Sequence, residues 1–393
     1  MCQFFINPYC KKKASWGNHL SQSFNNSDII QLHRSLPEYK PTPLVSLPGL
    51  AKSIGIKQIY VKDESFRFGL KAFKGLGSTY AIYRMMKDYL GKLNGPEVEP
   101  DKFYQPNFLR KDEFTFCTAT DGNHGRAVAW AAKKLNQKAV IYMPSNTVKA
   151  RLENVKSEGA RVIVVDGSYD KAVKEAAKDA KKNKWFIISD TSWVGYEDIP
   201  RHIMAGYLTL FREIHIELGN TTDIDAILIQ AGVGALAAST SWYYNMEYKK
   251  HIPKLISVEP TEAACMLQSI KSKSGLPLSL KNNPKSIMAG LNCGTPSLVA
   301  WPFIKTGFDL FLTVSDEYCV DAMQRYYYPT ENDPQIISGE SGASSLAGLL
   351  ALYTHKSART VRNKLGLNEN SSILLINTEG DTDPAAFKTL IQK

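Results

Sequence analysis

Lys74 is the residue whose position most directly suggests chemistry. It follows the largely apolar stretch 68–73 and stands where a helix is predicted to begin. The positive end of a helix disfavours a cation, so a buried lysine there would have a lowered pKa and a nucleophilic amine able to form an imine. Taken alone, however, Lys74 fits a solvated surface lysine better, because most lysines are exposed.

A second candidate is the segment 118–125, which reads Thr-Ala-Thr-Asp-Gly-Asn-His-Gly and joins a predicted strand to a predicted helix. Backbone N–H groups in such a turn can bind an anion, and the Asn123 side chain can hydrogen-bond a phenolic oxygen. Asp121 is unusual there, because a carboxylate is a poor neighbour for an anion, and it could be a helix N-cap. His124 fits a packed core histidine equally well.

The third candidate is the glycine-rich string 230–237, Gln-Ala-Gly-Val-Gly-Ala-Leu-Ala, again between a strand and a helix. Its glycines allow the backbone to approach a phosphate at a helix start. The string also fits the dinucleotide-binding pattern, with Glu259 after a later strand at the spacing of the ribose-binding acid. A nicotinamide-dependent oxidoreductase is therefore an open alternative at this point.

Two further strings, residues 337–343 and 377–383, are rich in small and acidic residues at predicted element junctions. Ser341 could cap a helix, and Thr378 could be an ordinary turn residue at a strand end.

Short apolar strands alternate with helices along the chain, which predicts an α/β protein with largely parallel sheets. Ligands in such proteins bind beyond the carboxyl ends of the strands, where the candidate segments stand. The strands are predicted at 58–61, 114–118, 139–143, 161–165, 186–189, 226–230, 254–258, 310–314 and 372–377. The helices are predicted at 74–92, 123–135, 147–157, 168–182, 201–218, 235–246, 315–327 and 341–355. Residues 91–111 are expected to form a loop or insertion, and the first thirty-five or so a mobile or loosely packed arm.

Composition excludes several classes of protein. The net charge is +10, but the lysines are spread along helices rather than clustered, which argues against nucleic-acid binding and suits anionic small ligands. No apolar run is long enough to span a membrane, and the N-terminal charge order is wrong for a secretory signal. The six cysteines contain no C-x-x-C pair, so neither a disulfide framework nor a zinc or other metal site is expected. We expect a cytoplasmic enzyme.

Together the four motifs resemble the fold-type II pyridoxal-phosphate enzymes, the tryptophan synthase β group, from about residue 41 to residue 383. The amino-acid sequences of these motifs are most similar to those of the diaminopropionate ammonia-lyase family. The resemblance implies two open, mostly parallel sheets flanked by helices, with the cofactor between two domains, and a homodimer. It also implies a larger domain at 36–80 and 205–393 and a smaller one at 81–204. The N-terminal arm at 1–35 lies outside the resemblance.

The resemblance assigns a role to each candidate residue. It implies that Lys74 holds pyridoxal 5'-phosphate as a Schiff base, that Asn123 bonds the ring oxygen, and that Thr378 or Asn377 meets the pyridine nitrogen. The phosphate would be bound by Gly232, Val233, Gly234, Ala235 and Leu236. The substrate would be bound by Thr120, Asp121 and Asp190.

The implied reaction is α,β-elimination of 2,3-diaminopropionate to pyruvate and two ammonia, with Lys74 and Asp121 as bases for opposite enantiomers. A serine or threonine dehydratase is the nearest alternative, although those enzymes usually carry a small neutral residue at the position of Asp121. A nicotinamide-dependent oxidoreductase would have no use for the lysine and asparagine motifs. A catalytically inactive pyridoxal-binding protein is the remaining alternative.

Overall fold

The computed structural model describes residues 2–11, 16–17, 22–95, 97–120, 122–167, 169–219, 224–248, 251–272, 274–281 and 285–392. These residues form two compact units. The first takes in the described residues of 1–17, 41–66 and 210–393, and the second those of 18–40 and 67–209. The predicted domain boundaries, at residues 81 and 204, differ from these edges and stay a prediction.

The first unit contains a seven-stranded sheet in the order β1-β10-β9-β8-β11-β3-β2. Its inner strands are parallel, and the two edge strands β1 and β2 pair antiparallel. The strands are β1 (Phe4–Ile6), β2 (Leu44–Ser46), β3 (Gln58–Asp63), β8 (Ala226–Gln230), β9 (Lys254–Pro260), β10 (Leu310–Val314) and β11 (Ser372–Asn377). Strands β8, β10 and β11 are buried along their whole length, as expected for parallel strands covered on both faces.

The second unit contains a four-stranded parallel sheet in the order β6-β5-β4-β7. Its strands are β4 (Thr115–Ala119), β5 (Lys138–Pro144), β6 (Arg161–Val165) and β7 (Phe186–Ile187). The carboxyl ends of β4 and β7 lie side by side, because Phe116 pairs with Phe186 and Cys117 with Ile187. Residues that follow these two strands therefore meet at one edge of this sheet.

The helices are α1 (Asp28–Ser35), α2 (Pro48–Ile54), α3 (Lys74–Lys92), α4 (Asn123–Lys134), α5 (Lys149–Ser157), α6 (Tyr169–Asn183), α7 (Asp198–Gly206), α8 (Leu208–Leu218), α9 (Ala235–Trp242), α10 (Cys265–Lys271), α11 (Trp301–Gly307), α12 (Asp316–Tyr327), α13 (Ser344–Thr354), α14 (Ala358–Leu365) and α15 (Pro384–Ile391).

The predicted α/β class and every predicted strand are confirmed within one or two residues. The helix predicted at 201–218 is instead two helices, α7 and α8, that meet at Tyr207. The break is slight, because Tyr207 keeps near-helical dihedrals (φ −70°, ψ −12°). The apolar periodicity of the sequence continues through it, so the sequence does not reveal the break. Helix α9 ends at Trp242 in a π-helical turn, Tyr243–Glu247, rather than continuing to residue 246 as an α-helix.

The prediction of a loosely packed N-terminal arm is wrong for the described residues. Strand β1 pairs with β10, with Phe4 opposite Leu312, and helix α1 buries Ile29 and Leu32. A three-residue strand and a two-turn helix are too short to produce a readable hydrophobic period, so the segment looked aperiodic. Its packing nevertheless extends both units.

Three further findings concern the described residues as a whole. No helix among them has the length and apolar character needed to cross a membrane. No group of three or more His, Cys, Asp or Glu side chains in the described part of the chain could hold a metal ion. All six cysteines are free thiols.

Candidate active site

A tight turn sets the position of Lys74. Phe68 takes a left-handed backbone conformation (φ 52°), and its ring stacks on Trp130 at 5.0 Å between ring centroids. The same ring crowds the start of α3, since a Cβ added at Gly75 would lie 2.7 Å from Phe68 Cδ2. Lys74 is thus the first residue of a helix whose start is held by aromatic packing.

The Lys74 amine forms an ion pair with Asp190. Nζ lies 2.6 Å from Asp190 Oδ2, and the two side chains are 19% and 9% exposed. Asp190 follows strand β7 and is buried. Burial alone would raise the pKa of Asp190, but the positive charges nearby and the hydrogen bond from Lys74 outweigh burial and lower it to about 2. Asp190 is therefore a carboxylate at any physiological pH.

His124 completes this cluster from the adjacent strand end. Its Nε2 lies 2.7 Å from the Ile188 carbonyl oxygen, which can only accept, so Nε2 carries the proton. Nδ1 lies 3.9 Å from Asp190 Oδ2 and has no hydrogen-bond partner among the described residues. Burial lowers the pKa of His124, with the charge of Lys74 acting in the same direction and that of Asp190 opposing. At neutral pH His124 is therefore an uncharged imidazole with Nδ1 near the Lys74–Asp190 pair, and it helps to lower the pKa of Asp190 only where it is itself protonated, at acid pH.

The asparagine segment forms a turn built around Thr120. The Thr120 hydroxyl oxygen accepts hydrogen bonds from the N–H groups of Gly122 (3.0 Å) and Gly125 (3.1 Å), and so supports the start of α4. Gly125 is needed there, because a Cβ would lie 2.2 Å from Thr120 Cγ2. Asn123 is the first residue of α4 and is partly exposed. Asp121 lies outside the described residues.

The glycine-rich string forms a loop between β8 and α9. Gly234 precedes the helix in a left-handed conformation (φ 98°), and a Cβ there would lie 2.5 Å from Ile304 Cδ1. Within the described residues, the N–H groups of residues 232–236 have no hydrogen-bond acceptor. Unpaired N–H groups at a helix start form a binding site for an anion such as phosphate.

Thr378 and Asn377 differ in what they already bind. The Asn377 side chain is fully buried, accepts from Ser338 Oγ (2.8 Å), and donates to Asp63 Oδ1 (2.8 Å) and the Ile337 carbonyl (3.1 Å). Thr378 Oγ1 accepts one hydrogen bond, from Gln230 Nε2 at 2.9 Å. Asn377 is thus committed to its neighbours, whereas Thr378 retains a hydroxyl proton to donate.

Glu259 does not have the role that a dinucleotide-binding site requires. Its carboxylate is fully buried and accepts from the N–H groups of Met266 (2.7 Å) and Leu267 (2.8 Å) at the start of α10. A ribose-binding acid must present free oxygens to the ligand. The nicotinamide alternative therefore loses the residue on which its spacing argument rested.

The predicted site residues form two groups, each within one compact unit. Lys74 and Asp190 lie together in the second unit, where Thr120 and Asn123 begin the neighbouring helix. The glycine loop and Thr378 lie in the first unit, at the carboxyl ends of strands β8 and β11, which are adjacent and parallel. The roles of these residues stay predictions.

Two site residues received no role from the sequence. Gln230 was visible only as a polar residue ending an otherwise apolar strand. Tyr207 carries a buried hydroxyl with no hydrogen-bond partner among the described residues, and its ring lies 4.7 Å from that of Phe73. Burial raises the pKa of Tyr207. No sequence signal distinguishes this tyrosine from an ordinary core residue.

Comparison with known proteins gives concordant matches. Residues 36–378 match the family model described as pyridoxal-phosphate dependent enzyme. A diaminopropionate ammonia-lyase from Salmonella typhimurium is 38% identical over 395 residues, covering 97% of this chain and 96% of that protein. The crystal structure of diaminopropionate ammonia lyase from Escherichia coli in complex with an aminoacrylate-PLP azomethine reaction intermediate superposes with a TM-score of 0.87 at 36% identity, covering 100% of this chain and 97% of that one. An L-threonine dehydratase from Staphylococcus epidermidis is 28% identical over 59% of this chain and 52% of that protein.

Proposed function

This chain belongs to the diaminopropionate ammonia-lyase family of pyridoxal-phosphate dependent enzymes, and we propose that it eliminates ammonia from 2,3-diaminopropionate. The overall reaction consumes one water and yields pyruvate and two ammonia. The observation that carries the proposal is the Lys74 amine at a helix start, 2.6 Å from a carboxylate that is ionised at neutral pH. In that pair, the Lys74 amine can transfer a proton, and the Asp190 carboxylate can bind a cationic amino group of the substrate.

The described residues fit the cofactor at its phosphate end. The N–H groups of residues 232–236 have no acceptor among the described residues, and the helix start adds a field that favours an anion. Gly232 leaves little room for a side chain, since a Cβ would lie 3.0 Å from Cys293 Sγ and 3.1 Å from the Gly290 carbonyl oxygen. Gly232, Val233, Gly234, Ala235 and Leu236 would thus hold the phosphate.

Three other side chains would complete cofactor binding. Lys74 would form the covalent attachment, Asn123 would bond the ring oxygen, and Thr378 would meet the pyridine nitrogen. Thr378 is preferred over Asn377, because Asn377 has its amide and carbonyl groups engaged by Asp63, Ile337 and Ser338. When bound, the cofactor supplies an electron sink for the pair left after the α-proton is removed.

Lys74 would act as the general base: its amine, when not attached to the cofactor, would take the proton from Cα of one enantiomer. Asp190 then faces the second amino group of the substrate: an ionised carboxylate keeps that group an ammonium, which leaves as neutral ammonia with the Cβ–N bonding pair. The three-carbon enamine that is released hydrolyses in water to pyruvate and the second ammonia.

Asp121 would be the second base, serving the opposite enantiomer. The support is the sequence alone: a carboxylate occupies a position where serine and threonine dehydratases usually carry a small neutral residue. Thr120, next to it, would bind substrate with its hydroxyl while its oxygen holds the turn.

The decisive experiment is a substrate panel. The purified holoenzyme is assayed for pyruvate and ammonia from each enantiomer of diaminopropionate, from serine and from threonine. We expect two ammonia per pyruvate from diaminopropionate, and kcat/KM for serine and threonine lower by at least about 10²-fold. This threshold is well below the roughly 10⁴–10⁵-fold at which a site rejects a substrate lacking its matched polar group. Faster turnover of serine or threonine would instead make this a dehydratase.

The two-base proposal has its own test. Asp121→Asn should reduce turnover of one enantiomer far more than that of the other, while Lys74→Ala removes both by removing cofactor attachment. Equal losses on both enantiomers, or none, would contradict a second base at Asp121.

The same proposal includes a cytoplasmic location and a homodimer. Six free thiols, four of them buried, suit a reducing compartment. The dimer rests on resemblance to the family, and light scattering of the purified protein tests it through a mass of twice the chain's 43.8 kDa.

A further inference from the structure

Gln230 ends strand β8 directly before the glycine loop and is buried. Its Nε2 lies 2.9 Å from Thr378 Oγ1 and 2.9 Å from the Ser341 carbonyl oxygen, with the Ile376 and Gly342 carbonyls at 3.1 and 3.2 Å. Three carbonyl oxygens can only accept, so this end of the amide must be the NH2 group. The orientation of Gln230 is therefore set by its surroundings.

This orientation decides the polarity of the Thr378 hydroxyl. The amide NH2 has two protons, and the two nearest oxygens are Thr378 Oγ1 and the Ser341 carbonyl oxygen, each at 2.9 Å. An NH2 group donates and does not accept, so Thr378 Oγ1 accepts from Gln230. Within the described part of the chain, no group accepts the Thr378 hydroxyl proton in return. That proton is thus available for a ligand atom that can only accept.

The other end of Gln230 indicates that its donor end is the functional one. Gln230 Oε1 is buried and has no hydrogen-bond partner among the described residues. A buried acceptor without a partner is unfavourable, so the side chain is poorly explained as a core-stabilising group. The function of Gln230 is therefore best explained by the hydrogen bonds that its NH2 group donates, one of them to Thr378.

We propose that Gln230 is a positioning residue, which holds the Thr378 hydroxyl as a hydrogen-bond donor so that the pyridine nitrogen of the cofactor is kept unprotonated. This inference rests on the proposed function, since it requires Thr378 to meet that nitrogen. An unprotonated nitrogen makes the ring a weaker electron sink, which favours prompt expulsion of a β-substituent over a long-lived carbanion. Gln230 would thereby influence which reaction the enzyme performs without touching the substrate.

The test measures the ring nitrogen itself. Holoenzyme is reconstituted with pyridoxal phosphate labelled with 15N in the ring, and the 15N chemical shift is followed from pH 9 to pH 6. Gln230→Met removes the donor at similar volume, and it is made in the wild-type and in the Thr378→Val backgrounds. Gln137→Met is the matched control, because Gln137 is also buried and donates to two carbonyls, those of Arg110 and Leu135, and belongs to the other compact unit.

In the wild type and in Gln137→Met we expect the shift of an unprotonated, hydrogen-bonded nitrogen throughout. In Gln230→Met, Thr378 Oγ1 loses the donor that fixes its orientation, so the hydroxyl can rotate and accept from a ring N–H with either lone pair. The shift should then move towards that of a protonated nitrogen as the pH falls. The change should be absent when Gln230→Met is added to Thr378→Val. An unchanged titration in folded Gln230→Met, or equal changes in both backgrounds, would overturn the proposal.

Wild-type holoenzyme decides the matter alone if Gln230→Met does not fold. An unprotonated 15N signal coupled to a hydroxyl proton supports the proposal, and a ring N–H signal across the pH range overturns it. Two other results would instead count against the proposed function. One is wild-type protein that takes up no cofactor, and the other is a Thr378→Val variant whose 15N signal equals that of the wild type.

Discussion

The Asp190 carboxylate lies 2.6 Å from the Lys74 amine although 115 residues separate them in the chain, and its pKa is about 2. The pair forms because the lysine begins α3 while the aspartate follows β7, and both belong to the same compact unit. The buried carboxylate holds the lysine amine in a fixed position. A base that removes one particular α-proton needs such a fixed position.

Asp190→Asn should lower kcat/KM for diaminopropionate on the order of 10²-fold, because it removes the anion that pairs with the Lys74 amine and that we propose binds the second amino group of the substrate. Steady-state kinetics measure this. Asp198→Asn is the control, since Asp198 is 85% exposed and pairs only with Arg201 among the described residues; such exposed pairs contribute at most about 1 kcal/mol. Equal kinetics for the two variants would remove Asp190 from the mechanism.

The low pKa of Asp190 makes a prediction for stability at acid pH. Because the folded state lowers this pKa from 3.8 to about 2, the ionised group stabilises the fold above pH 4, and the contribution is lost as the pH falls towards 2. The free energy of unfolding should thus differ between wild type and Asp190→Asn by about 2 kcal/mol at pH 5–7, and by about half of that at pH 3. Denaturant titrations measure the difference; a difference independent of pH between 6 and 3 would contradict the ion pair.

Gly234→Ala should damage both stability and cofactor binding. The substitution forces a side chain into a left-handed conformation and places its Cβ 2.5 Å from Ile304 Cδ1. Gly366→Ala is the matched control, because Gly366 has φ 75° but nothing within 4 Å. We expect the control to lose about 1 kcal/mol with unchanged cofactor affinity, and Gly234→Ala to lose more and to bind cofactor at least about tenfold more weakly. Equal cofactor affinity in both variants would exclude the loop as the phosphate site.

Thr378→Val and Asn377→Ala should separate ligand binding from folding. Asn377→Ala removes two buried hydrogen bonds and one part-buried one, and should lower the free energy of unfolding of the apoprotein by about 2–4 kcal/mol. Thr378→Val should leave apoprotein stability within about 1 kcal/mol, because Gln230 keeps its carbonyl acceptors, and should weaken cofactor binding. Denaturation and cofactor titration measure the two effects, and the opposite pattern would make Asn377 the partner of the ring nitrogen.

Much of the fold could be predicted because its strands are apolar and bounded by clear turns. Strand β8 and strand β11 are examples, and both were located within a residue. Strands β1 and β2 were not found, since three residues cannot display alternation, and the break at Tyr207 was hidden by near-helical dihedrals. These misses come from local signals that are too short.

The site could be predicted only as separate strings. Lys74, the asparagine segment and the glycine loop each had a recognisable local pattern. The ion pair between Lys74 and Asp190, and the hydrogen bond from Gln230 to Thr378, join residues more than a hundred positions apart. Such pairs depend on which strands are neighbours in a sheet, which a single sequence does not reveal.

The central claim is that Lys74 carries the cofactor, and one measurement tests it most directly. Purified holoenzyme is reduced with borohydride, digested and examined by mass spectrometry for a lysine bearing a phosphopyridoxyl group. We predict that modification on Lys74, with neighbouring Lys71 unmodified and no modification in Lys74→Ala. A phosphopyridoxyl group on another lysine, or none in protein that binds the cofactor, would contradict the account.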